Sequence, residues 1–221
     1  MKNYDVIVVG GGHAGVEACA VSAHMGLSTL LITLNKKMIS NMPCNPSIGG
    51  SAKGVVVREI DALGGLMGIG ADHEYIQMKM LNTGKGPGVQ CLRAQEDKFA
   101  YPAYMQCMLE NIDNLEIIEG HVTRLSYHDD VVDGVYLEDG TLINSKAVII
   151  ATGTYMEGAI LRGHKSSPGG PDGEKPSIGL SKCLAEMGID IIRFKTGTPP
   201  RIKKSSIDFS KAVPQYGMGG K

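Results

Sequence analysis

No charge of either sign predominates in this sequence: 22 Lys and Arg stand against 23 Asp and Glu in 221 residues, a formal net charge of −1. A whole-protein field that draws in nucleic acid is thereby excluded, although a local basic patch can still bind phosphate. No apolar run is long enough to span a bilayer. The longest charge-free stretch, residues 18–35, contains Ser22, His24, Gly26, Ser28 and Thr29. There is no CxxC, the five cysteines (Cys19, Cys44, Cys91, Cys107, Cys183) form an odd set, and none pairs with a histidine at zinc-ligand spacing. Neither a disulfide framework nor a metal site is expected. Asp5 and then glycines occupy the place where a signal peptide carries an apolar stretch. The expectation is a cytoplasmic protein with no membrane segment. No internal repeat or linker divides the chain, so residues 1–221 are expected to form one domain.

Glycine is abundant, 30 of 221 residues, about twice ordinary usage. Lacking a G-X-Y period, these glycines are expected in turns and where backbone approaches a ligand closely. Residues 5–9 are a β-branched run that ends in three glycines, residues 14–25 have helical spacing with Gly26 as a stop, and residues 27–33 form a second apolar run. Strand, helix and strand within about thirty residues make a right-handed βαβ unit. Residues 35–50 read as a loop, and residues 51–63 as a helix capped by Ser51 and stopped by Gly64-Gly65. A strand at 76–81, a loop at 82–93 and a helix at 94–111, kinked or restarted at Pro102, follow. Residues 115–120, 122–127, 131–137 and 141–143 predict a β-meander with turns at Asp133-Gly134 and Asp139-Gly140. Beyond it lie a buried strand at 147–151, a Gly/Pro loop at 166–175 and a helix at 178–187. The fold class predicted is α/β, Rossmann-like: a mainly parallel sheet with helices on both faces and a small antiparallel β-meander.

Gly10-x-Gly12-x-x-Gly15 follows a strand and opens a helix, the context in which this spacing binds a dinucleotide. Gly10 permits the tight turn, Gly12 lets backbone approach a diphosphate, and Gly15 lets helix pack on strand. The fingerprint also expects an acid about 20 residues on, for a ribose. Asn35 stands there instead, which weakens a simple NAD assignment.

The meander followed by Ala147-Val-Ile-Ile-Ala-Thr-Gly153 resembles the glutathione-reductase-like FAD fold. Sharper strings occur in order along the chain. They are Gly10-Gly11-Gly12-His13-Ala14-Gly15, Met42-Pro-Cys44-Asn-Pro-Ser-Ile-Gly-Gly50, Glu59-Ile-Asp-Ala-Leu-Gly-Gly-Leu-Met67, Lys85-Gly-Pro-Gly-Val89, Arg93-Ala-Gln95 and Lys195-Thr-Gly-Thr-Pro-Pro-Arg201. On these strings the chain resembles the N-terminal third of the glucose-inhibited division protein A (GidA, MnmG) family. The resemblance implies the FAD-binding part of an enzyme that installs a carboxymethylaminomethyl-type group at C5 of tRNA wobble uridine 34. It further implies NADH as reductant of FAD, methylenetetrahydrofolate as carbon donor, an MnmE-like GTPase partner and a homodimeric parent. The family's NAD-binding insertion and its C-terminal helical region, which meets partner and tRNA, are expected to be absent. By the same comparison Gly217-Met-Gly-Gly-Lys221 looks like a cut within a loop. Two other readings stand beside this one. A folate- and FAD-dependent tRNA uracil methyltransferase shares the Gly10–Gly15 opening, whereas the Cys44 and Lys195 strings favour the first family. A non-catalytic FAD-binding module is the other.

By that resemblance Gly10, Gly11, Gly12, His13, Ala14 and Gly15 hold the FAD diphosphate, His13 through its backbone. Val122 brings backbone to the adenine, and Ser177 touches the flavin nucleotide. Cys44 occupies a family cysteine position in a loop beside the flavin ring. There it is either a catalytic thiolate that adds to a uracil ring or assists carbon transfer, or a small buried hydrophobe. The Lys85 and Lys195 loops combine cations with exposed backbone N–H and suit a phosphate, or are ordinary solvated turns.

Overall fold

The computed structural model describes residues 3–197 and 200–218. Strands β1 (Asn3–Val9) and β2 (Thr29–Thr33) are apolar toward both faces because each lies inside a covered sheet. They pair in parallel, Val6 opposite Thr29 through Val9 opposite Ile32. On its other edge β1 pairs in parallel with β9 (Leu142–Ile150). With β6 (Leu115–Glu119), β7 (Val122–His128) and β8 (Val131–Leu137), the order is β6-β2-β1-β9-β8-β7. Alternate side chains of β1 then enter two different cores. Val6 and Val8 pack with Val16 of α1 (His13–His24) and with Tyr101 and Met105 of α4 (Ala100–Glu110). Ile7 and Val9 pack with Val122, Leu125 and Val135 and with Leu180 and Leu184 of α5 (Leu180–Glu186). The mainly parallel α/β sheet with its antiparallel meander is the one expected.

Several local expectations are corrected. The strands expected at 141–143 and 147–151 merge into one continuous strand, β9 (Leu142–Ile150), so the meander runs straight into the central sheet. Asp133-Gly134 is no turn: it lies inside β8, where a Cβ on Gly134 would sit 2.3 Å from the Ile143 carbonyl oxygen. The reversal falls instead at Asp129 and Asp130, both at positive φ (49° and 63°), as a two-residue hairpin turn requires. Asp139-Gly140 does turn, with Gly140 at φ 87° and the Thr141 N–H donating to Asp139. Ser51 does not cap a helix; α2 (Lys53–Ala62) starts after Ala52. Residues 94–96 are strand, and α4 starts at Ala100, so Pro102 lies in the first turn, where its missing N–H breaks no helical bond.

A second sheet, order β3-β5-β4, was not expected. It is built from β3 (Ser47–Gly49), β4 (Tyr75–Leu81) and β5 (Cys91–Glu96), and only β4 was foreseen. Helix α3 (Leu66–Glu74) and the hairpin β10 (Ala159–Arg162) with β11 (Lys165–Pro168) are also additional, the latter overlapping the expected Gly/Pro loop. Among the described residues, no helix is long and apolar enough to cross a membrane.

Candidate functional site

Parallel strands that share a direction put all their following loops at one end, and ligands of such sheets bind there. Here the loops after β1, β2 and β9 surround a cleft of about 270 Å³. Gly10, Gly11 and Gly12 line it from the first loop, Thr33, Leu34 and Asn35 from the second, and the run from Ala151 to Tyr155 from the third. Val122, at the start of β7, and Ser177 complete the wall from the meander side. Val122 is buried, and Ser177 is fixed by its N–H donating to the Tyr155 carbonyl and its carbonyl accepting from Glu157 N–H, both at 2.8 Å.

Each fingerprint glycine meets a different demand. Gly10 sits at φ 109°, and a Cβ there would lie 2.4 Å from the Ala151 carbonyl oxygen. Gly15 lets α1 rest on the β1 turn, since its Cβ would approach the Gly10 carbonyl oxygen to 1.8 Å. Gly11 faces Thr33, whose hydroxyl oxygen would be 2.9 Å from a Cβ. Gly12 differs: its φ is −71° and nothing of the protein lies within 4 Å of a Cβ built on it. The protein itself gives Gly12 no steric reason to be glycine, and the free space lies where the fingerprint places a diphosphate. No acid in the first turn and no side-chain cap competes for the amino end of α1, which favours an anion.

His13 points its ring away from the cleft, with Nε2 3.1 Å from the Tyr101 hydroxyl. Burial, helped by Lys53, pulls its pKa down to about 4, so it is neutral at physiological pH. Ala14 is exposed and Gly15 buried, and neither lines the cleft. Asn35, in the place of the ribose acid, spends its side-chain oxygen on the Lys37 N–H at 3.0 Å. Tyr155 and Glu174 were not singled out in the sequence. They line the cleft from a segment with no motif of its own, and burial together with the Glu174 carboxylate pushes the Tyr155 pKa up.

Cys44 stands at the rim: its neighbour Pro43 lines the cleft, whereas Cys44 itself is half-buried and is not part of the wall. Several of the sequence strings meet at its loop. Arg201 Nη2 donates to the carbonyls of Cys44 (2.5 Å) and Pro43 (3.1 Å). Gln95 donates to Asn45 Oδ1 at 3.2 Å and to the Pro46 carbonyl at 2.5 Å. Lys98 reaches Pro43 O (3.4 Å) and Asp172 (3.3 Å), and Asp172 accepts from Asn41 at 3.1 Å. Lys85 and Lys195 are exposed and outside the cleft. Thr198 and Pro199 of the Lys195 string lie outside the described residues.

Comparison with known proteins places this geometry. Residues 5–221 match the family model described as glucose inhibited division protein A. The tRNA uridine 5-carboxymethylaminomethyl modification enzyme MnmG of Bacillus subtilis is 54% identical over 214 residues, covering 97% of this chain and 34% of the relative. Its counterpart from Acholeplasma laidlawii is also 54% identical, with 98% of this chain and 35% of the relative covered. The solved Aquifex aeolicus GidA superimposes with a TM-score of 0.93 at 48% identity, covering 98% of this chain and 36% of that one. The GidA-related protein of Thermus thermophilus, at 19% identity and a TM-score of 0.63, shares the fold. The chain thus spans about a third of the length of the relatives it matches, and it belongs to the glucose-inhibited division protein A family.

Proposed function

We propose that residues 1–221 are the FAD-binding domain of a cytoplasmic enzyme that modifies the wobble uridine of tRNA. The observation that carries the reading is the cradle at Gly12: a glycine with no steric need of its own, at the amino end of α1, opening on the cleft that Val122 and Ser177 also line. In this reading the backbone of Gly10, Gly11 and Gly12 receives the FAD diphosphate. His13 and Ala14 continue the first turn, and Gly15 holds helix to strand behind it. Val122 presents backbone to the adenine and Ser177 meets the flavin nucleotide. The apolar wall of Val9, Ile32 and Val122 excludes water from the cofactor's length. Bound FAD supplies the redox chemistry, with NADH as the reductant.

The names of the relatives in Bacillus and Acholeplasma support the substrate reading, tRNA uridine. They favour carboxymethylaminomethyl chemistry over uracil methylation. The proposal further takes methylenetetrahydrofolate as the carbon donor, an MnmE-like GTPase as partner and a homodimeric parent. Cys44 is the proposed catalytic residue, at the rim, its sulfur adding to the uracil ring or assisting the carbon transfer while Arg201 and Gln95 hold its loop still. The test is Cys44→Ser in the full-length parent. FAD content is expected to stay unchanged and tRNA modification, scored by mass spectrometry of digested tRNA, to be lost. Equal modification would return Cys44 to a packing role. A preparation of this chain that is yellow but not bleached by NADH would mark these residues as a binding module without turnover.

A further inference from the structure

The second sheet carries charge in an arrangement that costs stability unless an anion answers it. Lys79 of β4 stands directly opposite Arg93 of β5, and Gln77 opposite Gln95 one pair along. Cross-strand partners share a face. The opposite face, Ile48, Ala94 and Met78, is packed against the core. Like charges placed directly across a ladder repel. Among the described residues neither Lys79 nor Arg93 has a carboxylate within 4.0 Å. Lys79 donates to the neutral side-chain oxygen of Gln215, and Gln77 to the Gln215 carbonyl, which leaves both cations uncompensated.

The imbalance extends past the pair. Residues 75–95 and 200–207 hold six of the 22 Lys and Arg and none of the 23 Asp and Glu. The two stretches meet at the Cys44 loop, to which Gln95 of β5 and Arg201 both donate. A chain of net charge −1 therefore gathers cations in two acid-free stretches beside the rim of its cleft. Strand β4, seven residues long, spans about 23 Å at roughly 3.3 Å per residue. That is the length of several nucleotides of a polyanion, far more than one small phosphate occupies.

We propose that this face, with Lys79 and Arg93 at its centre and Lys85 and Arg201 at its ends, holds RNA backbone phosphates and guides the strand toward Cys44. The inference rests on the tRNA reading above and adds the surface. Gln77 and Gln95 donate to the Gln215 carbonyl and to the Cys44 loop, so the cations alone meet the phosphates. Few contacts mean weak, salt-sensitive binding. Each phosphate neutralised contributes about −0.7 to −0.9 to the slope of log affinity against log salt.

The test is a salt titration of unmodified tRNA binding to this 221-residue chain by fluorescence anisotropy. Three proteins are compared: wild type, Lys79→Gln/Arg93→Gln, and a control pair, Lys146→Gln/Lys182→Gln, on β9 and α5. Wild type is expected to bind at low salt and to release at about 150 mM. The Lys79/Arg93 pair should flatten the slope by about 1.4–1.8, while the control pair, with the same loss of net charge, leaves it unchanged. The melting temperature of the Lys79/Arg93 pair should not fall, because a repulsive pair has been removed. Equal slopes for the two double variants would overturn the proposal, as would no binding by wild type at any salt. Neither result touches the FAD reading, which flavin retention by the same proteins reports separately.

Discussion

At the residue scale, the four fingerprint glycines look alike in the sequence and differ in the fold. Substituting Gly10 or Gly15 by Ala drives a Cβ into backbone, at Ala151 and at Gly10 itself. Each is expected to cost about 1–3 kcal/mol or more of stability, seen as a lowered urea midpoint with or without ligand. Two titratable groups, Glu96 buried and His13 half-buried, set a pH profile. Glu96 is buried with neither carboxylate oxygen hydrogen-bonded, and burial, with Asp72 and Glu74 adding, pushes its pKa up from 4.5 to about 8. Between those values the folded state keeps a proton that the unfolded chain releases, so stability falls as pH rises. His13 acts oppositely: from its ordinary 6.5 down to about 4 the unfolded chain binds the extra proton, and stability rises with pH. The two offset each other below about 6.5, and Glu96 acts alone above it. Urea unfolding should therefore show stability falling from pH 6.5 to 8, and Glu96→Gln should remove that fall. A wild-type profile that is flat or rising over this interval would contradict the assignment. Neither shift could be read from the sequence, because burial is a tertiary property: Glu96 lies in no motif, and the fingerprint around His13 says nothing of its ring.

At the scale of elements, β1, α1, β2 and the meander strands were legible because each carries its own pattern, buried runs bounded by glycine or short alternating strands. Helix α3 was not. It contains Gly68 and Gly70, poor helix formers, and the cap of its amino end comes from another element. Glu17 of α1 accepts from the N–H groups of Leu66 (3.0 Å) and Met67 (2.7 Å). Gly70 serves close packing: a Cβ added there would lie 2.5 Å from the Met105 sulfur. Glu17→Ala should thus destabilise the protein by about 1–2 kcal/mol, as loss of a charged helix cap does, and Glu17→Gln by less. A calorimetric melt would show it. Strand β5 was hidden for a similar reason: Cys-Leu-Arg-Ala-Gln-Glu has little β propensity and is held by pairing with β3 and β4 on both edges.

On the scale of the whole molecule, the place of the cleft followed from the glycine fingerprint and the returning strand, because a parallel sheet gathers its loops at one end. What the sequence could not show is how its scattered strings converge. Pro43, Cys44, Gln95 and Arg201 are far apart along the chain, yet hydrogen bonds bring them to one loop at the cleft rim. Whether this cleft is shaped for the diphosphate of FAD is decided at Gly12. A Val there meets no protein atom within 4 Å of its Cβ, so the fold should be untouched while the diphosphate's space is filled. Equilibrium dialysis of FAD against wild type and Gly12→Val at matched melting temperature is the measurement. Binding by wild type and its loss in Gly12→Val is the result predicted, and equal binding by the two proteins would contradict the placement of the cofactor.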